Sequence, residues 1–321
     1  MSAATPFTLN QADAERLLEQ VDVLQAMRDM FVELAAGSAV QPAQQLVEFP
    51  NGGGDFINYL GVLASQQVYG VKTSPYIVRQ PKSLVTAWSL LMSMDSGQPL
   101  LLCDAGSLTT ARTAATTALA VQELARPDAK RLAIVGSGPV ARAHLRYVAG
   151  LRDWQSIRVY SPNLNAGVLA QFGAIDSRAE PATSVEAAVA DADVVLLCTS
   201  SGTPVLDPAI LGKPALITSI STNVARAHEV PPQSLAQMDV YCDYRATTPA
   251  SAGEMRLARD EHGWDGAIRG DLPELVSGQA ARPDYQRHAF FRSIGLGLED
   301  VALANALYTS ATQERLSRRR T

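Results

Sequence analysis

The chain has 321 residues, of which 47% are hydrophobic and 18% are charged, a composition typical of a globular protein large enough for two domains. Its net charge of −5 gives no electrostatic reason to expect nucleic acid or an anionic membrane as a partner. The chain starts without a cationic segment followed by an apolar core, and no apolar run is long enough to span a bilayer, so we expect neither a secretory signal nor a transmembrane helix.

The three cysteines predict buried thiols. Cys103, Cys198 and Cys242 each end or interrupt an apolar run, and their spacing fits neither a zinc site nor a disulfide framework. We therefore expect free thiols, no metal ion and a reduced, cytoplasmic protein. The basic run over residues 315–320 is predicted to be a solvated tail.

The first third of the chain predicts two helices followed by short strands. The helices cover residues 12–20, capped by Asn10, and residues 21–36, ended by Gly37. Turn residues, including Ser74-Pro75 and Asp95-Ser96-Gly97, separate β-rich runs at residues 45–49, 57–63, 68–72, 85–94 and 99–103. We expect a mostly antiparallel sheet, followed by an alanine-rich helix over residues 108–124.

From Lys130 onward, apolar strands alternate with helices. The strands are predicted at residues 132–135, 157–160, 194–198, 215–220 and 240–242, and the helices at residues 140–149 and 184–192. Fully apolar strands in such an alternation indicate a parallel sheet covered on both faces. A last helix is predicted from Leu298 to about Ser317.

A glycine turn follows the first of these strands and opens a helix. It matches the pattern G-x-G-x-x-A in Gly136, Ser137, Gly138, Pro139, Val140 and Ala141. The first glycine permits a tight turn, the second lets backbone N–H groups approach a pyrophosphate, and the small Ala141 lets helix and strand pack closely. The phosphates would lie at the helix N-terminus. The turn predicts dinucleotide binding.

The fold class is therefore predicted to be α/β, with a Rossmann-type doubly wound parallel sheet over residues 126–295. Residues 1–125, completed by the helix at residues 296–321, are predicted to form an α+β, mostly antiparallel domain. The second strand of the parallel sheet ends without the carboxylate that selects NAD(H), and Ser161 and Asn163 are available there as hydrogen-bond donors. We expect NADP(H) to be preferred, with NAD(H) as the alternative.

The chain resembles the ornithine cyclodeaminase/mu-crystallin family from about Lys72 to its end. The resemblance rests on Gly70-Val71-Lys72, on residues 108–119 (LTTARTAATTAL), on the glycine turn, and on Phe291-Arg292-Ser293-Ile294-Gly295 followed by Leu298-Glu299-Asp300. It implies an enzyme that handles an α-imino or α-amino carboxylate beside a nicotinamide. It also implies a homodimer joined through the N-terminal sheet domain, which would bind the substrate.

The resemblance assigns roles to individual residues. Arg112 matches the arginine that binds the substrate carboxylate, and a bidentate guanidinium suits that task. Lys72 matches an active-site lysine that would hold the carboxylate or protonate the imine nitrogen. The remaining matches concern the cofactor: Thr113 near its phosphates, Thr199 at the end of a strand, and Ser293, Ile294 and Gly295 near the nicotinamide.

Two positions depart from the family pattern. Asn223 stands where cyclodeaminases carry an aspartate base, and an amide cannot take a proton from an ammonium group. Gln44 stands where a second carboxylate-binding arginine is expected, which puts a dicarboxylate substrate in doubt. Both residues are predicted to contact the substrate.

Other polar residues admit two interpretations each. His228, beside Glu229, is a proton donor or a loop histidine, and the second is favoured. Asp104 and Asp243 support the site or cap turns. Asp300 caps the last helix or orients a group of the site, and capping is favoured.

The combined prediction is an NAD(P)H-dependent reductase of a cyclic ketimine carboxylate, with Lys72 and Arg112 as catalytic residues. The expected substrate is Δ1-pyrroline-2-carboxylate, giving proline, and the six-membered analogue giving pipecolate is a further candidate. The alternatives are an ornithine cyclodeaminase, an alanine-type amino-acid dehydrogenase, and a mu-crystallin-like protein that binds NADPH and a ligand with little turnover.

Overall fold

A computed structural model describes residues 5–221 and 226–318. They form two compact units: the first unit comprises the chain up to Arg112 and again from Leu296, and the second unit runs from Thr113 to Gly295. The division falls inside a helix, after Arg112. The boundary at residue 125 and the role of each domain stay predictions.

The helices and strands have the following bounds. The helices are α1 (Gln11–Leu18), α2 (Val23–Ala35), α3 (Gly106–Leu124), α4 (Pro139–Val148), α5 (Ala166–Gly173), α6 (Val185–Val189), α7 (Thr248–Ser251), α8 (Gly253–His262), α9 (Leu272–Val276) and α10 (Gly297–Arg318). The strands are β1 (Phe7–Leu9), β2 (Ala39–Val40), β3 (Gln45–Glu48), β4 (Gly54–Leu63), β5 (Val68–Ile77), β6 (Leu84–Val85), β7 (Trp88–Ser93), β8 (Pro99–Asp104), β9 (Arg131–Val135), β10 (Ser156–Tyr160), β11 (Ala179–Pro181), β12 (Val194–Leu197), β13 (Leu216–Ser219), β14 (Asp239–Cys242), β15 (Gly270–Asp271) and β16 (Ala289–Arg292).

The sheet of the first unit has the order β1-β8-β7-β5-β4-β2, with β3 added to β4 and β6 added to β5. All its pairs are antiparallel except β1 with β8. Helix α10 packs on one face, and two glycines of the sheet make room for it. A Cβ on Gly61 would lie 2.9 Å from the backbone nitrogen of Leu298. One on Gly70 would lie 3.3 Å from a side-chain carbon of Val301, and only 2.5 Å from the Leu90 carbonyl oxygen of the neighbouring β7.

The sheet of the second unit is parallel throughout, in the order β11-β10-β9-β12-β13-β16-β14-β15. The strand order reverses between β9 and β12, because the chain first adds β10 and β11 on one side and then returns to the other. Ligands of open α/β sheets bind at such a switch point, beyond the carboxyl ends of the strands. The predicted α/β class with a Rossmann-type parallel sheet is confirmed.

Most predicted elements are present within a few residues of their expected bounds. Asn10 caps α1, because its side-chain oxygen accepts from the backbone N–H of Asp13 at 3.0 Å. Two expectations were wrong: the run at residues 85–94 is not one strand, because β6 ends at Val85 and β7 begins at Trp88, and Ser74-Pro75 does not end a strand but lies inside β5.

Pro75 lies opposite Phe56 of β4. On its other side, β5 pairs with β7 up to Thr73 and with β6 from Tyr76 onward, so Pro75 lies between these two paired segments. On that side the Thr86 N–H donates to the Pro75 carbonyl at 3.3 Å, and the Ser74 hydroxyl donates to the Thr86 carbonyl at 3.2 Å in place of the N–H that proline lacks.

Candidate functional site

Four charged side chains meet inside the first unit. Lys72 projects from β5, Arg112 from α3, and Glu299 and Asp300 from the first turn of α10. The Lys72 Nζ lies 3.0 Å from Oδ1 and 2.9 Å from Oδ2 of Asp300. Arg112 donates through Nη1 to Glu299 Oε2 at 2.9 Å and through Nε to Asp300 Oδ1 at 3.2 Å. Asp300 thus bridges the two cations.

The cluster is buried, and burial shapes its electrostatics. No side chain of the four is more than 5% exposed. Burial, followed by repulsion from Arg112, lowers the pKa of Lys72 to about 8, and Asp300 opposes that shift. Burial acts against the charge of Arg112 too, but Asp300 and Glu299 raise the pKa of this guanidinium above its usual value. Arg112 is therefore a fixed cation, whereas Lys72 exchanges its proton near neutral pH.

Tyr59 and Thr109 complete the surroundings of Lys72. Tyr59 is the residue paired with Lys72 across β4 and β5, and Nζ lies 4.1 Å from the centre of its ring. Nζ also donates to the Thr109 hydroxyl at 3.3 Å. Gln44 is half-buried and directly precedes β3. If the register of β3 on β4 is continued by one residue, Gln44 lies opposite Tyr59, which in turn pairs with Lys72. Two of the predicted substrate contacts, Gln44 and Lys72, therefore belong to one row of the sheet.

A second feature lies within the second unit, at the switch point. A cavity of about 950 Å³ opens beyond the ends of β9, β10, β12 and β13. It is lined by the glycine turn and by the residues that follow these strands, namely Val135, Gly136, Ser137, Gly138, Pro139, Val140, Tyr160, Ser161, Pro162, Asn163, Val185, Cys198, Thr199, Ser200, Ser201, Val205, Ile220 and Ser221.

The glycine turn has the shape that a dinucleotide needs. Gly136 has φ +127°, and a Cβ there would lie 2.4 Å from the carbonyl oxygen of Cys198, so only glycine fits. Gly138 faces open space, with nothing within 4 Å of where a Cβ would be. It is the N-cap of α4 and makes no side-chain cap, so the first amides of this ten-residue helix are available to an anion. The residues present fit a dinucleotide pyrophosphate.

A comparison with protein families decides the identity of the fold. Residues 5–315 match the model of the ornithine cyclodeaminase/mu-crystallin family, which is almost the whole chain. The chain belongs to this family.

Individual relatives differ in the reaction that their names describe. The chain is 70% identical over 309 residues to the NAD(P)H-dependent anabolic L-arginine dehydrogenase DauB of Pseudomonas aeruginosa, covering 96% of this chain and 98% of that protein. Its fold matches the Δ1-pyrroline-2-carboxylate reductase of Thermococcus litoralis, solved with NADH and L-proline, with a TM-score of 0.87 at 24% identity over 96% and 98% of the two chains. A probable ornithine cyclodeaminase from Bordetella pertussis gives a TM-score of 0.86 at 28% identity over 97% and 98%. The predicted family is confirmed, and the predicted NAD(P)(H) cofactor agrees with these relatives.

The residues predicted to bind the cofactor do not all line the cavity. Gly136, Ser137, Gly138, Pro139, Val140, Ser161, Asn163 and Thr199 do. Ala141 is buried in α4, where it packs as predicted, and Thr113 is half-buried on α3. Ser293, Ile294 and Gly295 follow β16, next to the end of β13. Asn223 lies outside the described residues.

The segment after β16 is held by a buried carboxylate, that of Asp243. Its Oδ2 accepts from the Ser293 hydroxyl at 3.0 Å and from the backbone N–H groups of Ile294 at 2.7 Å and Gly295 at 3.1 Å. Asp243 therefore supports the segment that the family resemblance assigns to the nicotinamide. Arg292, just before it, pairs with buried Glu254 at 2.7 Å and donates to the Ser293 carbonyl at 2.8 Å.

Sequence reasoning missed the acidic half of the charged cluster. It left Glu299 without a role and favoured Asp300 as a helix cap, whereas both carboxylates bind the cations of the cluster. The signal was present in part, because two adjacent acidic residues at the start of an apolar helix are a candidate for buried ion pairs. His228 is half-buried and donates through Nδ1 to the Arg226 carbonyl at 2.7 Å, as a loop histidine with a structural hydrogen bond would.

The described residues hold no helix that is long and apolar enough to cross a membrane. They also contain no group of three or more His, Cys, Asp or Glu side chains placed to hold a metal ion. All three cysteines are buried and unpaired.

Proposed function

We propose that this protein is an NAD(P)H-dependent oxidoreductase that reduces the C=N bond of an α-imino acid to the corresponding α-amino acid. The substrate we favour is the α-imino acid of L-arginine, which gives L-arginine. The relative named as an anabolic L-arginine dehydrogenase supports this choice, because its 70% identity extends over 96% of the chain. "Anabolic" in that name describes the direction that forms the amino acid.

The observation that carries the proposal is the buried cluster of Lys72, Arg112, Glu299 and Asp300. A permanently charged guanidinium fixes a planar carboxylate in one orientation, and Asp300 and Glu299 fix the guanidinium in turn. Lys72, held by Asp300, is an ammonium group that donates a proton to the imine nitrogen. Its pKa of about 8 suits a group that must lose a proton at neutral pH.

The cavity of the second unit would hold the cofactor. The glycine turn and the α4 N-terminus would bind the pyrophosphate, and Ser161 and Asn163, which line the cavity after β10, would contact the adenosine ribose or its 2′-phosphate. NAD(P)H, when bound, supplies the hydride that is added to the α-carbon of the imine. The proton on the nitrogen comes from Lys72, so the imine gains two electrons and two hydrogens and the product is the neutral amine.

A second candidate is the cyclic ketimine, Δ1-pyrroline-2-carboxylate or its six-membered analogue. Asn223, in place of the cyclodeaminase aspartate, favours reduction over cyclisation of ornithine. The same cluster serves either substrate, because both present a carboxylate next to a C=N bond. The candidates differ only in the remainder of the molecule.

Loss of NADPH absorbance with a panel of substrates tests the proposal. The panel is the 2-oxo acid of arginine with ammonia, pyruvate with ammonia, Δ1-pyrroline-2-carboxylate and its six-membered analogue, with L-arginine and NADP⁺ for the reverse direction. We expect the highest kcat/KM with the arginine-derived imine. Turnover of the cyclic imines alone would select the second candidate, and ammonia and proline released from ornithine would indicate a cyclodeaminase. NADPH binding without any turnover would reject the proposal.

A further inference from the structure

One buried carboxylate in the second unit, that of Glu229, holds two of the segments that line the cavity. Its Oε1 accepts from the backbone N–H of Thr199 at 2.8 Å and from the Thr199 hydroxyl at 2.7 Å. Its Oε2 accepts from the Ser219 hydroxyl at 2.7 Å and from the backbone N–H of Ser221 at 2.9 Å. Glu229 is fully buried, and these four bonds tie the end of β12 to the end of β13.

The main chain of the same residue holds the far end of one segment. The Glu229 carbonyl accepts from the backbone N–H of Val205 at 2.8 Å and of Leu206 at 3.2 Å. The loop over residues 199–206 is therefore anchored at its start by the Glu229 side chain and at its end by the Glu229 backbone. Thr199, Ser200, Ser201 and Val205 of this loop line the cavity, as does Ser221 on the other segment.

We propose that Glu229 is a positioning residue for the dinucleotide, which acts by holding the loop over residues 199–206 and the turn at Ser221 in the shape that receives the cofactor. A loop that is fixed before the ligand arrives costs less ordering entropy on binding, so its anchor contributes to affinity without touching the ligand. The inference rests on the proposed dinucleotide cavity, but not on which imino acid is reduced.

The same contacts limit the role predicted for Thr199. A hydroxyl has one hydrogen and two lone pairs. The hydrogen is donated to Glu229, and one lone pair accepts from the backbone N–H of Ser201 at 3.2 Å. Thr199 therefore has one acceptor position left for a ligand and no donor, so its main task in this arrangement is to connect Glu229 with the loop.

An ionised carboxylate suits the four donors around Glu229, because both of its oxygens can accept two hydrogen bonds each. In Glu229→Gln, the amide group would present its own hydrogens to one pair of donors, so at least the bond from one backbone N–H is lost while the size of the side chain is kept. Ser219→Ala removes a single donor, and Ser219 is buried and is not a lining residue. It loosens Glu229 without changing the surface that the cofactor would contact.

A matched control lies at the amino-terminal ends of the strands of the same sheet, opposite the ends that face the cavity. Asp193 directly precedes β12, and its Oδ2 accepts from the backbone N–H groups of Lys130 at 2.8 Å and Arg131 at 2.9 Å. Asp193→Asn therefore disturbs a carboxylate that also ties strand ends together, but at the amino ends, away from the cavity. Any effect that comes from weakening the sheet in general appears in both variants.

The experiment is a titration of the full-length protein with NADPH, followed by the change in nicotinamide fluorescence, beside thermal unfolding of each variant. We expect Glu229→Gln to raise the Kd for NADPH about tenfold, which corresponds to one hydrogen bond to a charged group. Ser219→Ala should raise it less, and Asp193→Asn should leave it unchanged. In turnover assays the KM for NADPH should rise with the Kd, whereas the KM for the imino acid should not.

Two results would overturn the inference. One is an unchanged Kd in Glu229→Gln with a lowered Tm, and the other is an equal rise of Kd in Asp193→Asn. If Glu229→Gln does not fold, the comparison of Ser219→Ala with Asp193→Asn decides the question. A wild-type protein that does not bind NADPH would reject the proposed function itself, which is a different outcome from a variant that binds as well as the wild type.

Discussion

At the scale of single residues, the site depends on how Lys72 and Arg112 share two carboxylates. Four ionised groups with no net charge lie in a region that water does not reach, and each cation has a carboxylate oxygen within 3.2 Å. Removing one partner of such a group leaves an uncompensated buried charge, which costs about 3–5 kcal/mol. Variants that keep the charge are therefore better probes of function here than truncations to alanine.

Lys72 should give imine reduction a pH dependence of its own. The ammonium form donates the proton, and it is lost as the pH rises through the pKa of about 8. We expect kcat/KM for reduction to fall above that pH in the wild-type protein. In Lys72→Arg the cation does not titrate, so the rate should be lower and this fall absent. Steady-state rates from pH 6 to 10 measure it, and an identical decline in both proteins would assign the titration to the substrate instead.

Arg112→Lys should separate carboxylate recognition from cofactor binding. The ammonium group keeps the charge that faces Glu299 and Asp300 but loses the paired donors that hold a carboxylate in plane. We expect kcat/KM for the imino acid to fall about 100-fold, in the range of a bidentate charged hydrogen bond. The Kd for NADPH should stay within a factor of two. A variant with undiminished kcat/KM would show that the carboxylate binds elsewhere.

At the scale of elements, the position of α10 on its sheet decides whether the cluster forms. Gly61 and Gly297 allow an approach of backbone to backbone: a Cβ on Gly61 would lie 2.9 Å from the nitrogen of Leu298, and one on Gly297 would lie 2.1 Å from the carbonyl oxygen of Leu60. Since Glu299 and Asp300 begin the same helix, the closeness of this contact sets where their carboxylates lie.

Gly61→Ala should therefore reduce both stability and activity. The added methyl group meets main-chain atoms, which cannot rotate away as a side chain can, so α10 must shift. Overpacking of this kind costs about 1–3 kcal/mol of the free energy of unfolding. We expect a lower Tm in thermal unfolding and a lower kcat/KM for the imino acid. Gly173→Ala is the control, because nothing lies within 4 Å of the added carbon there. Equal behaviour of the two variants would contradict this account.

The sequence predicted the helices and strands better than the contacts between residues that are far apart in the chain. Apolar periodicity and turn residues located α1, α2, α3 and the strands β9, β10, β12, β13 and β14, but not β11, and the glycine turn located the cavity. Strand β16 was not predicted, although Phe290 and Phe291 are fully buried in it, because its apolar run of Ala289, Phe290 and Phe291 is too short to show a period. The ion pair of Lys72 with Asp300 joins positions 228 residues apart, and no local pattern reports such a contact.

At the scale of the whole molecule, the sheet of the first unit keeps one apolar face that α10 does not cover. Leu60, Val71, Leu90 and Leu102 oppose one another in a row across β4, β5, β7 and β8. The first three are half-buried, and Leu102 is 38% exposed. A continuous aliphatic row on a sheet surface is typical of a contact between protein chains. This agrees with the homodimer that the family resemblance predicts.

Light scattering should report twice the mass of one chain at micromolar concentration. Leu102→Glu, which adds a charge to the aliphatic row, should shift the protein toward the single-chain mass. Ile210→Glu is the control, since Ile210 is 40% exposed in the second unit. A wild-type protein that has the mass of one chain, or an Ile210→Glu variant that dissociates equally, would argue against this surface.

The neutrality of the buried cluster has a calorimetric consequence. Its two positive and two negative charges already cancel, so an incoming carboxylate makes the pocket negative unless a proton follows it. The group that can take up this proton is Lys72, whose pKa of about 8 would rise beside a new anion. At pH 8 to 9, binding of a 2-oxo acid, which brings a carboxylate without an α-ammonium group, should therefore draw protons from the buffer. The observed heat would then change with the ionisation enthalpy of the buffer, and the dependence should vanish in Lys72→Arg.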